Sequence, residues 1–283
     1  MTSQLKTFFL LALLTGLILF LGQLMGGRTG LVIAFGFALV MNFVSYWYSD
    51  KIVLAMYRAR PLAPEDAPAL HQMLGELSAK AGIPAPRLVL IPQEAPNAFA
   101  TGRNPQNAVV AVTEGLLRLL PPAEIKAVIG HELGHIAHRD ILIQSVAAVL
   151  ASAIMMLANM MQWAALFGGV GGRDDEGRGN PLAALAVALI APFAATLIQM
   201  AISRSREFMA DRASAEFTGQ PLNLAQALAR LHNTALEVPM QAAPATENMF
   251  IVSPLAGRRI GNWFSTHPPV EERIARLREM AGR

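Results

Sequence analysis

Four stretches of the chain carry no charged side chain: 7–27, 29–49, 141–172 and 179–203. They run to about 21, 21, 32 and 25 residues, and a helix needs roughly 20 apolar residues to cross about 30 Å of hydrocarbon. The pattern therefore predicts four hydrophobic helices in two hairpins. The first stretch follows Lys6, as a secretory leader would. Its length, the lack of a small-residue cleavage site and a second stretch starting at Thr29 argue instead for an anchored hairpin. For the second pair, around "GGRDDEGRGNP", a buried or partly inserted hairpin is the alternative to two full spans. Either way the polar segments lie on one side. The expected organisation is a transmembrane hairpin at 1–50, a polar part at 51–140, a second hydrophobic hairpin at 141–203 and a second polar part at 204–283.

Within the polar parts the periodicities change. Leu70, Met73, Leu74 and Leu77 recur at helical spacing, and Gly82 with Pro84 ends that helix. "RLVLI", Arg87 to Ile91, reads as a short strand. "NAFATG" and "NAVVAV" read as two strands joined by the polar turn Arg103-Asn104-Pro105-Gln106. A helix begins at Thr113, Pro121-Pro122 interrupts it, and a proline-started helix follows. "AISRSREFMADRASAEF" has neither Gly nor Pro and reads as a helix, as does the amphipathic run from Leu222 to Leu236. The fold class is mainly α with a small β-sheet (α+β).

Composition sharpens this. Only 15% of residues are charged and 53% are hydrophobic, against about a quarter charged in an ordinary soluble domain. A membrane protein embedded in a lipid bilayer is implied. The net charge of +3 comes with no basic run interleaved with aromatics, so no nucleic-acid partner is expected. Near the span ends, Lys6, Lys51, Arg58, Arg60, Lys126, Arg139, Arg204, Arg206 and Arg212 lie on the polar side, against Arg28, Arg173 and Arg178 opposite. Positive charge stays cytoplasmic, so the polar parts should be cytoplasmic. The chain has no cysteine, so any metal site must use His, Asp or Glu.

Such a site is offered by "HELGH" at 131–135. Residues four apart share one helix face, so the imidazoles of His131 and His135 can converge on one cation. Glu132 lies beside them, placed to reach a water rather than the ion, where a general base belongs. His138 is one turn further along and too far for the same ion. Glu207 is the candidate third ligand, with Asp211 on the same face to accept the free N–H of a metal-bound imidazole. A simple ion pair of Glu207 with Arg204 or Arg206 is the alternative. An edge strand in "NAFATG" can bind a peptide by β-augmentation, with Asn97 hydrogen bonding to it or merely capping the strand entry.

HELGH followed by two hydrophobic spans, "EFMAD" at 207–211 and "STHPP" at 265–269, on an N-terminal hairpin, resembles the M48 family of membrane zinc metalloproteases, and within it the bacterial HtpX branch. "MNFVSYWYSDKIVL" and "PNAFATG" fit as well, so the resemblance spans the chain. It implies a gluzincin-type endopeptidase domain with one Zn2+ per chain, held by His131, His135 and Glu207, with Glu132 as catalytic base and Asp211 behind a ligand. It further implies substrate binding at Asn97, Ala98 and Phe99, and a multi-pass protein of the bacterial inner membrane that cleaves membrane or misfolded polypeptides in quality control. His267 falls on the remaining motif position and is expected to stabilise the oxyanion; on residues alone, a histidine in a loop is as readily a surface group.

Two other functions fit parts of the sequence. An intramembrane protease is disfavoured because Glu124, Lys126, Arg139 and Asp140 bracket the HELGH segment, and the Asn-Pro in "GNPLAA" lacks the acidic ligand that such enzymes place beside it. A non-proteolytic zinc-stabilised membrane scaffold would not need Glu132.

Overall fold

In the computed structural model residues 3–167, 204–238, 240–254 and 268–282 are described. The chain opens with helix α1, Ser3–Met56, which doubles back on itself. The turn is at Gly27, whose φ of 55° lies in the left-handed region that glycine adopts without strain. The two arms then touch: a Cβ on Gly30 would sit 2.1 Å from the Gly22 carbonyl oxygen. Asn42 donates to Thr15 Oγ1 at 2.8 Å, which is possible only in a hairpin, because 27 residues of straight helix span roughly 40 Å.

Among the described residues one arm, Gly27–Met56, is by itself long and apolar enough to cross a membrane, and Leu5–Phe20 is a shorter apolar arm. Of the four expected spans, the described residues thus include one that meets this test alone. Leu10 and Leu14 of the first arm are buried against Leu142, Ile143, Val146 and Leu150 of α5, Ile141–Phe167, so that arm spends one face on protein. The fourth uncharged stretch, the loop before it and the Asn-Pro of "GNPLAA" lie outside the described residues.

A small mixed sheet follows. Strand β1 (Arg60–Pro61) pairs antiparallel with β2 (Arg87–Ile91), which runs parallel to β4 (Val109–Thr113), and β3 (Ala98–Thr101) closes the edge antiparallel to β4. Every residue of β4 is buried because both faces are covered. Val110 and Val112 face the core formed with helix α2 (Pro68–Ala81), while Val109 and Ala111 face Val53, Tyr57 and Phe250. Alternation of side chains along a strand makes this two-sided burial read as an unbroken apolar run.

Helix α3 (Glu114–Leu119) is capped by Thr113, which accepts from the Leu116 amide at 3.1 Å. Leu120 and Pro121 separate it from α4, Pro122–Ala137. From Ile125 to Ile136 α4 is buried except at Lys126, and its main neighbour is α6, Arg204–Thr218. Glycines set their distance: a Cβ on Gly134 would be 3.0 Å from Ala210 Cα, and one on Gly130 3.1 Å from Ser214 Oγ. Ser214 Oγ clamps the pair by donating to the Ala127 carbonyl at 2.6 Å. Helices α7 (Pro221–Glu237) and α8 (Val270–Ala281) pack around this pair, with Leu228, Leu231 and Leu277 fully buried. After α4 the chain turns by 88° into α5, with Arg139 at φ 58° and the Asp140 amide donating to the His135 carbonyl at 2.9 Å.

Candidate active site

The four-residue spacing on α4 brings the rings of His131 and His135 to 4.8 Å between centroids, nearly perpendicular at 88°. Their Nε2 atoms are 3.2 Å apart. Two imidazoles on one tetrahedral zinc, with Zn–N about 2.0–2.1 Å, would hold their nitrogens about 3.3 Å apart. From α6, Glu207 presents Oε1 to His135 Nε2 at 3.5 Å and Oε2 to His131 Nε2 at 3.7 Å. The three ligand atoms all lie within 4.8 Å of one another.

The opposite nitrogens explain why these atoms act as acceptors. His131 Nδ1 faces Asp211 Oδ1 at 2.9 Å, and His135 Nδ1 faces Asp140 Oδ2 at 3.6 Å. A carboxylate on Nδ1 keeps the proton there and leaves Nε2 with its lone pair. Two lone pairs and a carboxylate then point at one spot, an arrangement that a cation stabilises. The charge balance agrees. Among the described residues, Glu132, Asp140, Glu207 and Asp211 are buried with Arg206 and Arg273 to offset them, so four carboxylates against two guanidiniums leave a formal −2. A divalent cation fits that deficit.

Protons take the same role in the metal-free protein. Burial pushes Glu132 up to about 8, reinforced by the Glu207 charge and opposed by His135 and Arg273. Burial opposes charging of His135, but Glu207, Asp140 and Glu132 outweigh it and raise the group to about 9. His131 is held down at about 4, mainly by burial, although Asp211 pulls the other way. Neither Glu132 oxygen makes a hydrogen bond of normal geometry. The backbone amide of Ala100 also favours its ionised form, less than His135 and Arg273 do.

Arg273, on α8, is the residue that reading the sequence missed. It is 1% exposed and forks onto Asp211, with Nε to Oδ2 at 2.8 Å and Nη2 to Oδ1 at 2.7 Å. Its Nη1 donates to the Ile251 carbonyl at 2.7 Å. Burial works against its charge, but Asp211 and Glu207 more than compensate and raise its pKa; burial likewise works against Asp211, which Arg273 and His131 hold below the usual carboxylate range. A signal was available: Arg273 falls on the apolar stripe Val270–Ile274–Leu277. Asp140 was also missed as a partner of His135; in the sequence it counts only among the charges that bracket the HELGH segment. Arg206, buried beside it with Nη1 3.7 Å from Asp140 Oδ1, completes a second arginine–aspartate–histidine chain.

The expected substrate residues lie on the sheet edge next to the site. Asn97 is buried; its amide nitrogen donates to the Val252 carbonyl at 3.0 Å and its Oδ1 accepts from the Ala98 amide at 3.1 Å. The Ala98 carbonyl accepts from the Ile251 amide at 3.1 Å. Phe99 points to the far face, in an aromatic cluster with Tyr57 and Phe250. In an antiparallel strand the peptide groups alternate in direction, so Ala100 directs its N–H and C=O to the same outer edge as Ala98, toward Glu132. His138 is exposed. His267 lies outside the described residues.

Residues 64–281 match the model of peptidase family M48. The chain is 56% identical over 282 residues to a protein named Protease HtpX homolog from Syntrophobacter fumaroxidans, across 99% of this chain and 100% of that one. It is 52% identical over 279 residues to a protein of the same name from Thermococcus sibiricus, across 98% of this chain and 96% of the other. Among solved structures, the crystal structure of S. mikatae Ste24p has the same fold, with a TM-score of 0.51 at 19% identity. That match covers 97% of this chain and 65% of the other.

Proposed function

The chain belongs to peptidase family M48, and from that premise we propose that it is a membrane-anchored, single-zinc endopeptidase whose site is His131, His135 and Glu207 with Glu132 as the base. That it is a metallopeptidase follows from the family. The observation that carries the finer reading is the convergence of three acceptor atoms within 4.8 Å, with an unsatisfied buried carboxylate, Glu132, next to them.

Zinc held there by His131, His135 and Glu207 would supply a Lewis acid for the scissile carbonyl and for a water. Glu132 accepts the proton of the attacking water and delivers it to the leaving amine. Asp211 and Asp140 hold the two imidazoles in the tautomer that leaves Nε2 for the ion. The substrate lies along the outer edge of β3, where Ala100 offers both backbone groups, while Asn97 and Ala98 fix the neighbouring segment at Ile251 and Val252. His267 is the proposed oxyanion donor. In this reading 1–50 is the anchor, 141–203 a second hydrophobic hairpin, and 51–140 with 204–283 the catalytic part. The basic residues flanking the apolar stretches support a cytoplasmic site. The substrates are membrane or misfolded polypeptides, for which an anchored protease that grips backbone is suited.

Metal removal tests this. The detergent-purified chain, stripped by a chelator, should no longer cleave an unfolded model protein, and zinc should restore cleavage. His135 must lose its proton to bind the ion, and in the metal-free protein it holds that proton up to about pH 9. Apparent zinc affinity should therefore rise about tenfold per pH unit from neutrality toward that value. Cleavage that survives chelation, or an affinity independent of pH, would refute the assignment.

A further inference from the structure

At the polar end of the apolar arm, α1 meets the far end of the sheet around a cavity. Its volume is about 370 Å³, and its lining includes Trp47, Lys51, Arg87, Arg103 and Asn107. The three cations come from separate elements: the last turns of α1, the start of β2 and the turn after β3. The Arg103 guanidinium lies 4.4 Å from the centre of the Trp47 ring, and Lys51 Nζ 4.9 Å from that of Tyr48. Among the lining residues the one acid is Asp50, 3.8 Å from Arg87. Three positive charges against one negative leave a formal +2 around a cavity with no role in the peptidase site.

The surroundings indicate where an anion would come from. Leu39, Phe43 and Trp47 recur every four residues on the membrane arm, and they are 54%, 57% and 44% exposed. They form one outward apolar stripe that ends at the cavity. Tyr46 and Tyr48 flank it, each about two-fifths exposed, the placement of aromatic side chains at a bilayer surface. A ligand with an anionic head and an apolar tail would satisfy both features at once, with the head among the cations and the tail along the stripe.

We propose that this cavity binds the phosphate of an anionic membrane lipid, joining the catalytic sheet to the bilayer surface through Arg87 and Arg103. The assignment rests on the membrane reading of Gly27–Met56 and is independent of the peptidase chemistry. The full chain in nanodiscs of equal phosphatidylglycerol and phosphatidylcholine, analysed by native mass spectrometry, tests it. Phosphatidylglycerol should be retained in excess. Arg103→Gln, Lys51→Gln and Arg87→Gln should each weaken retention about fivefold with the unfolding midpoint unchanged. Arg118→Gln, which alters an exposed cation paired with Glu94 away from the cavity, should behave as wild type. Equal retention of the two lipids, or variants that retain phosphatidylglycerol like wild type, would overturn the proposal. Displacement of the lipid by millimolar inorganic phosphate would assign the cavity to a free anion and overturn the lipid assignment. Release of the chain from membranes by alkaline carbonate would refute the membrane reading, and the lipid site with it, while leaving the peptidase assignment standing.

Discussion

Glu132→Gln is expected to lower the rate of peptide cleavage about a thousandfold while zinc stays bound. A positioned general base contributes about 10²–10⁴ to a rate. The amide keeps the shape of the carboxyl group but cannot take a proton from water at any working pH. Glu132 is not among the three converging ligand groups, so the metal site itself survives the change. Removing this carboxyl also removes one of the charges that raise His135, so zinc competes with a less tightly held proton and occupancy should not fall. Initial rates on an unfolded protein at matched zinc occupancy make the comparison. Equal rates would place the activity elsewhere, in a contaminating peptidase or another residue.

Arg273→Met should produce the largest loss of stability. The guanidinium makes two hydrogen bonds to Asp211 and one to the Ile251 carbonyl, and lies 3.6 Å from Glu207. Methionine fills similar volume and leaves Asp211 buried without its countercharge. Breaking a buried pair in this way costs about 3–5 kcal/mol. The effect reaches the metal through Asp211, which orients His131, and loss of such an orienting partner typically costs 10–100-fold in metal affinity. Arg273→Lys should restore little of either, because an ammonium cannot span both carboxylate oxygens in the plane of a guanidinium. Chemical denaturation together with a zinc-binding isotherm measures both effects. A variant as stable as wild type, with unchanged affinity, would show that the chain from Arg273 to His131 is incidental.

The sequence foretold the parts of the site that repeat within one element. His131 and His135 are a turn apart, and Glu207 and Asp211 are a turn apart, so helical spacing alone aligns each pair. The opposition of the two pairs depends on how α4 and α6 pack, and the glycines at 130 and 134 hint at that close approach. Arg273 was hidden because partners distant in sequence, Asp211 and Ile251, define its role; the stripe Val270–Ile274–Leu277 puts it on an inward face but does not say what it meets there. Strand β1 has two residues, too few for any alternation to register, whereas Arg87–Ile91 was visible as an apolar run. The hydrophobic stretches were legible as helices, but whether a helix faces lipid or protein depends on its neighbours. Leu10 and Leu14 are buried on α5, which composition cannot reveal. Asn97 was expected either to hydrogen bond a peptide or to cap the strand entry, and its bond to the Val252 carbonyl is a tertiary contact with no sequence signature.

His131, His135 and Glu207 are proposed to hold one zinc ion that this chain uses to cut peptide bonds. Titrating zinc into the metal-stripped chain while following both bound metal and cleavage tests it most directly. Cleavage should rise linearly and stop at one zinc per chain, and Glu207→Ala should lose both the tight binding and the cleavage. A plateau at two zinc ions, or full cleavage by Glu207→Ala, would rule out this single-zinc site.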